Sequence, residues 1–362
     1  MAKLLPALIA LVLLASAHQP ARACIHPPAG FAAPIDAGAQ RGLVFWDNGR
    51  EVLVIQPGYQ VNETKLAEGD LSEGRVKSFK SFAWLLPLPA LPDSYSEVEP
   101  ALFDALHEFT AIEERIPRQP RESGGPVVFD GEESGPELEF LEPLEVGSYA
   151  IQPVKAKGEA GQAELKGWLK DSGFGEVDER VLRFYILRGW YWLAIKLSAD
   201  EGLPASGSVK PLAVSFKTPR PVYPLKINDK AGEFDLELWL ITRDEVDVSR
   251  LATFGMQTPE QFDEQLSQRN RITAYAKLPE SVRAQADTIE EFKQLREGDV
   301  FCYRLQGRAL DAEEGIDLGL LQEDLNFAFT KNASPKPEKD VQPVPEPEKP
   351  KDETPPENPE GK

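Results

Sequence analysis

The spacing of apolar positions along this chain changes several times, and each change marks an element. From Leu43 to Ile55 the order is Leu-Val-Phe-Trp, then Asp-Asn-Gly-Arg-Glu, then Val-Leu-Val-Ile. Asn48-Gly49 suits the two positive-φ positions of a type I′ turn, so this stretch predicts a β-hairpin. Residues 57–78 are polar and contain glycine, and they read as loop. Ser78 to Leu88 is the next strand, and its end is marked by Pro87 and Pro89, which donate nothing to a ladder. Pro100 opens a helix with Leu102, Phe103, Leu106 and Phe109 as its buried stripe and Glu97 and Glu99 near its positive end. Residues 116–137, rich in proline, glycine and acid, read as a mobile surface insertion.

After Gly147, Tyr149 to Pro153 is a strand leading into the most densely patterned part of the chain. Leu165, Trp168 and Leu169 fall on one helix face, and Asp171-Ser-Gly-Phe-Gly175 breaks that helix. A second helix starts near Asp178 with Val181, Leu182, Tyr185 and Ile186 as its stripe, and Gly189 closes it. Tyr191, Leu193, Ile195 and Leu197 then alternate as one strand face, and Leu212, Val214 and Phe216 do the same. Pro219, Pro221 and Pro224 stiffen the approach to a short strand at Leu225–Ile227. Phe234, Leu236, Leu238 and Leu240 alternate with Asp235 and Glu237 as a half-buried strand. Thr258-Pro-Glu-Gln supplies an N-cap and a first-turn proline. A helix over Thr288–Arg296 and a strand over Asp299–Leu305 follow.

Strands and helices without regular alternation predict an α+β fold. Its core is a mixed or antiparallel sheet with helices packed on it, in one large or two closely packed lobes. Residues 24–145 form its N-terminal part, 146–245 its central unit, and 246–330 its C-terminal helices and strand. From Lys331 the composition shifts to nine prolines among Glu and Lys in 32 residues, with nothing to build a core. That segment, 331–362, reads as a disordered tail.

The central unit also carries a resemblance. Gly189-Trp-Tyr-Trp-Leu-Ala-Ile-Lys and Pro221-Val-Tyr-Pro-Leu-Lys resemble the central signature of a secreted bacterial family known as domain of unknown function 2330. Phe82-Ala-Trp-Leu-Leu-Pro-Leu-Pro89, followed by Ala101-Leu-Phe-Asp-Ala-Leu106, resembles that family's N-terminal signature. The matches are in the family's order and span roughly residues 24 to 245. The resemblance implies an exported protein and no particular reaction. It also implies a mature chain opening on cysteine and glycines, whereas here Cys24 is followed by Ile25-His26.

The N-terminus agrees with export. Met1-Ala-Lys3 is a short positive region and Leu4 to Ala17 an apolar run too short for a comfortable span. Ala21-Arg-Ala23 supplies a small-x-small cleavage pattern, so residues 1–23 read as a signal peptide, with a periplasmic or extracellular product. Acylation of Cys24 is the less favoured alternative, because Arg22 stands where that processing wants a small residue. Removing residues 1–23 leaves 38 basic and 60 acidic residues, a net charge of −22. Such a chain is repelled by phosphate backbones, which argues against nucleic acid as a partner. Cys24 and Cys302 are its two cysteines. In an oxidising compartment they most often form one long-range bridge, which the chain-entropy treatment values at about 4–5 kcal/mol. Two unpaired thiols are the alternative.

Candidate chemistry is sparse. Glu122-Ser-Gly-Gly-Pro-Val-Val128 resembles the nucleophile segment of chymotrypsin-like proteases, but that chemistry needs a histidine base held by a carboxylate. The mature chain offers His26 and His107, neither in the proteases' Ala-Ala-His-Cys-like context. No zinc set of the usual ligand types assembles, and Asp244–Asp247 and Glu313–Asp317 lack an ordered calcium-loop pattern. No catalytic residue, metal ligand or cofactor site is assigned. Trp190 and Trp192 are candidate binding aromatics, either a platform for sugars or a partner, or part of a sheet buried on both faces. The reading is an exported envelope protein that binds an envelope protein or a cell-wall glycan without catalysis; a carboxylate-dependent hydrolase or glycan-acting enzyme is the alternative.

Overall fold

The computed structural model describes residues 25–26, 35–61, 79–114, 137–174, 177–203, 206–312 and 315–330. The signal peptide, Cys24, the Glu122–Val128 motif and the proline-rich tail lie outside them.

The predicted hairpin is the spine of the larger sheet. Ile35–Asp47 pairs antiparallel with Arg50–Val61, and Asn48 (φ 48°) and Gly49 (φ 78°) make the turn between them. Both strands are longer than the apolar run alone suggested, and the second continues through residues 57–61, which the composition had assigned to loop. These polar and glycine positions keep their extended form because the partner strand satisfies their backbone. Gly58, for instance, packs so closely on Ala39 that a Cβ there would lie 2.1 Å from its carbonyl oxygen.

Around this hairpin a nine-stranded sheet forms. Its main path runs Met256–Gln257, Asp299–Leu310, Phe234–Thr242, Ile35–Asp47, Arg50–Val61, Leu212–Lys217 and Ser94–Glu97. Phe234–Thr242 is parallel to Ile35–Asp47, and the other pairings are antiparallel. A six-stranded antiparallel sheet orders Ile25–His26, Phe79–Leu88, Tyr191–Leu203, Tyr149–Ala156 and Leu138–Phe140, with Leu144–Val146 also on Tyr149–Ala156.

The two sheets share one core. Val44, Leu53, Ile55, Val214 and Phe216 of the larger sheet meet Trp84, Leu86, Ile151, Leu193 and Ile195 of the smaller. The opposite face of the smaller sheet, with Leu85, Val154 and Trp192, is covered by helix α2 (Gly158–Asp171) and helix α3 (Glu179–Ile186). The first helix among the described residues, α1, is Ala101–Phe109. It covers the far face of the larger sheet, together with the short helical turns between Tyr275 and Glu297. The order is helix, sheet, sheet, helix, an α+β architecture in which the two lobes allowed by the sequence are two layers on a common core. The chain crosses between the sheets repeatedly, so both sheets draw strands from before and after residue 146.

Burial on both faces explains the continuous apolar runs. Leu43 and Phe45 face one cluster while Val44 faces another, so alternation carries no polar face. The same applies to Phe234–Thr242, read above as half-buried. Asp235 and Glu237 sit at its less covered end, whereas Leu238 to Ile241 are buried throughout. Leu225–Ile227 departs from the strand predicted for it. The strand is Val222–Tyr223, and Lys226–Asn228 forms a 3-10 turn because Asp324 Oδ1 accepts from the N–H groups of Leu225 and Lys226.

Candidate binding cleft

Helices α2 and α3 cover only part of the smaller sheet. Val154 and Trp192 lie beneath them, but the outward positions Ala150, Gln152, Ala194 and Lys196, cross-strand neighbours in register, extend past the end of α2. Two alanines make a low floor there. The result is an open cleft of ≈ 380 Å³ between α2 on one side and Pro143, Leu144 and Glu145 on the other. That is the size of a small-ligand pocket.

The aromatic wall of the cleft follows from how α2 ends. Ser172 is its C-cap, and Gly173 takes the left-handed conformation (φ 85°). Phe174 N–H then donates to the Leu169 carbonyl at 2.8 Å and Gly173 N–H to Lys170 at 3.1 Å, the paired bonds of a Schellman motif. The reversal folds Phe174 back beneath the helix, where its ring stacks on Trp168 at 5.8 Å and 25°. Phe140, 48% exposed, meets the other side of Trp168 edge-on at 5.0 Å. Lys196 brings its ammonium to 5.6 Å from the Phe174 ring centre, a cation–π contact at the cleft mouth. Lys196 and Glu145 are the charged side chains of the lining, and Gln152 is committed to the carbonyls of Leu141 and Pro153.

The residues singled out in the sequence fall elsewhere. Trp192 is 0% exposed, packed edge-on against Tyr185, and offers no surface to a ligand. Trp190 is half-buried, with its ring 5.0 Å from Tyr185. Trp192 thus fits the reading of a sheet buried on both faces, and the aromatic surface beside the cleft is that of Trp168 and Phe140, with Phe174 buried behind Trp168. Trp168 had been read only as a stripe residue and Phe174 only as part of a helix break. The legible signal was a glycine flanked by aromatics six residues apart at a helix end, which is the spacing a Schellman reversal brings together.

Cys302 makes no disulfide among the described residues; it is fully buried among Leu43, Trp239 and Val300, and burial pushes its pKa up to about 12. The expected bridge to Cys24 is not part of the described structure. Ile25, next to Cys24, pairs with Trp84 in the smaller sheet, whereas Cys302 lies in the cluster on the far side of the larger one. His107 is mostly exposed and accepts from Arg304 at 2.8 Å, with Glu237 3.5 Å away. Among the described residues no cluster of His, Cys, Asp and Glu is arranged to hold a metal ion.

Several buried ionisable groups lie away from the cleft. Asp324 accepts from three backbone N–H groups and from the Tyr185 hydroxyl at 2.5 Å, and burial raises its carboxyl to about 6. Beside it Lys226 donates to the carbonyls of Leu318, Gly319 and Leu321, and burial lowers its pKa. Asp311 is raised to about 7, by burial first and then by the nearby Asp229 charge. Glu51 is fully buried and pushed well above the usual carboxylate range, with one oxygen accepting from Val222 N–H. Asp324 and Lys226 clasp the C-terminal segment to the core; Glu51 joins the hairpin to the approach of Val222–Tyr223.

Fold and cleft together define a layered α+β protein with an aromatic recess on one outer sheet face. The chain belongs to a bacterial family described as an uncharacterized protein conserved in bacteria, domain of unknown function 2330, which matches residues 68–272. No curated protein matches the sequence. Among solved structures it is similar to a mutated baculovirus P35 after caspase cleavage, at 12% identity over 66% of this chain and 74% of that one, with a TM-score of 0.30. It is also similar to P35 in complex with caspase-8, at 11% identity over 65% and 72% of the chains, with a TM-score of 0.34. Among the described residues no helix is long and apolar enough to cross a membrane.

Proposed function

We propose that this is an exported, non-catalytic binding domain of the bacterial envelope, and that the Trp168 cleft holds a ring of a cell-wall glycan. The carrying observation is the half-buried ring of Trp168, backed by the buried Phe174 and flanked by the exposed Phe140, beside a floor of Ala150 and Ala194. A sugar ring presents a flat C–H face to such a wall and hydroxyls to the rim. Lys196 gives the mouth an ammonium suited to a carboxylated sugar, and Glu145 an acceptor for hydroxyls. Export rests on the N-terminal pattern of residues 1–23.

The competing reading is a hydrolase driven by carboxylates, and it draws on the raised Asp311 and Asp324. Neither lines the cleft, and the four hydrogen bonds to Asp324 commit it to holding the fold. The test is a tryptophan-fluorescence titration of the mature protein with soluble peptidoglycan fragments. Saturable quenching is expected. Trp168→Ala should abolish the signal, and Lys196→Ala, at an exposed position, should weaken binding about fivefold, the equivalent of roughly 1 kcal/mol for a cation at the rim. A flat titration with folded protein, or release of shortened fragments, would overturn the binding reading.

A further inference from the structure

The chain continues for 32 residues beyond Thr330, the last described residue, and those residues have the composition that aromatic clefts bind. Proline-rich segments dock on aromatic walls because their polyproline II form is already ordered and offers flat pyrrolidine faces. We infer that the segment Pro343–Pro350 of the chain's own tail occupies the Trp168 cleft when no glycan is present. This inference rests on the cleft being a binding site, as proposed above.

Reach is the first condition. Thr330 is fixed by its N–H to the Glu245 carbonyl at 2.9 Å, and Phe329 before it stacks on Trp46 at 4.9 Å. A folded unit of about 300 residues has a radius of gyration near 19 Å, hence a diameter of about 50 Å. Twelve residues lie between Thr330 and Pro343, and the thirteen steps, at about 3.1 Å each, span roughly 40 Å. Laid over a body of that diameter, this length reaches about half of the surface before Pro343.

Complementarity is the second condition. Polyproline II has three residues per turn, so Pro347 and Pro350 lie on one edge and present one ring to Trp168 in the recess and one to the exposed Phe140 beside it. Glu348, on a second edge, matches Lys196 at the mouth, and Lys349, on the third edge, matches Glu145. The segment has aromatic, cationic and anionic counterparts in one recess. Because it is tethered, its effective concentration is in the millimolar range even if the free peptide binds weakly.

The experiment uses the full mature chain with Pro143, exposed on the cleft rim, replaced as Pro143→p-benzoylphenylalanine. Irradiation of a mixture of nitrogen-15 and natural-abundance protein, followed by peptide mapping, identifies what the rim touches. The expected product joins residue 143 to peptides containing Pro343–Pro350 within one isotopic chain. Capture of no tail peptide, or only of tail from the other isotopic copy, overturns the inference. A second arm compares glycan titrations of the wild type and a Pro347→Ala, Pro350→Ala variant. Tighter glycan binding by the variant, about fivefold, is expected. Equal binding by both defeats the tail inference and leaves the cleft reading intact. Absence of glycan binding in both defeats the cleft reading, with the cross-link still deciding where the tail lies.

Discussion

Asp324 offers the sharpest test of how the fold is held. Its Oδ1 serves the N–H groups of Leu225, Lys226 and Leu325 at 2.7, 3.0 and 3.1 Å, and its Oδ2 serves the Tyr185 hydroxyl. It thus ties α3, the 3-10 turn and the C-terminal segment at one point. Burial raises its carboxyl to about 6, against about 3.9 in an unfolded chain. The folded protein therefore holds this proton more tightly than the unfolded chain. Stability contributed by the group is complete below about pH 4 and is lost as pH rises through about 6, by roughly 3 kcal/mol. Asp324→Asn keeps the Oδ1 acceptor and cannot ionise. Relative to the wild type, the variant should gain about 3 kcal/mol between pH 3.5 and pH 7, measured as the difference between two urea-denaturation series. Asp324→Ala strands four buried donors and should cost about 4 kcal/mol at low pH, where the carboxyl is neutral. A difference curve that is flat would refute the reasoning. One of opposite sign would show that Lys226 and the four donors hold a carboxylate more stable than the acid.

Other outcomes follow from single features. Cys302 should resist a thiol reagent at pH 8 in the folded protein and react fully in denaturant, because burial removes both access and thiolate; rapid native labelling would contradict its placement. A mass of the native protein two daltons below the reduced form would instead establish the bridge to Cys24. Glu51→Gln should flatten the loss of stability that the wild type shows as pH rises above about 4.5, where the unfolded carboxyl ionises while the buried one keeps its proton; equal slopes in the two proteins would refute this. Gly49→Ala meets nothing within 4 Å, so its cost is conformational alone, about 1–2 kcal/mol in a chemical-denaturation assay.

Much of the local structure is written in the residues themselves. The Asn48-Gly49 turn, the N-cap of Asp178 on α3 and the capping box of Thr258 with Gln261 are decided within a few positions, where backbone geometry and hydrogen bonding are local. The stripe of α3 and the alternation from Tyr191 likewise follow from periods of 3.6 and 2. The assembly of layers is another matter. That Phe234–Thr242 lies parallel to Ile35–Asp47, or that polar residues 57–61 extend a strand, depends on partners nearly 200 or about 20 positions away. Lys226 and Asp324 show the same limit: no local pattern marks either as buried, and only the packing of the C-terminal segment brings them together in the core. The cleft divides between the two levels. Gly173 and the aromatics at 168 and 174 fix the reversal at the end of α2 locally. Whether that wall faces solvent or core was decided by how far α2 covers the sheet, a property of tertiary packing that no window of sequence contains.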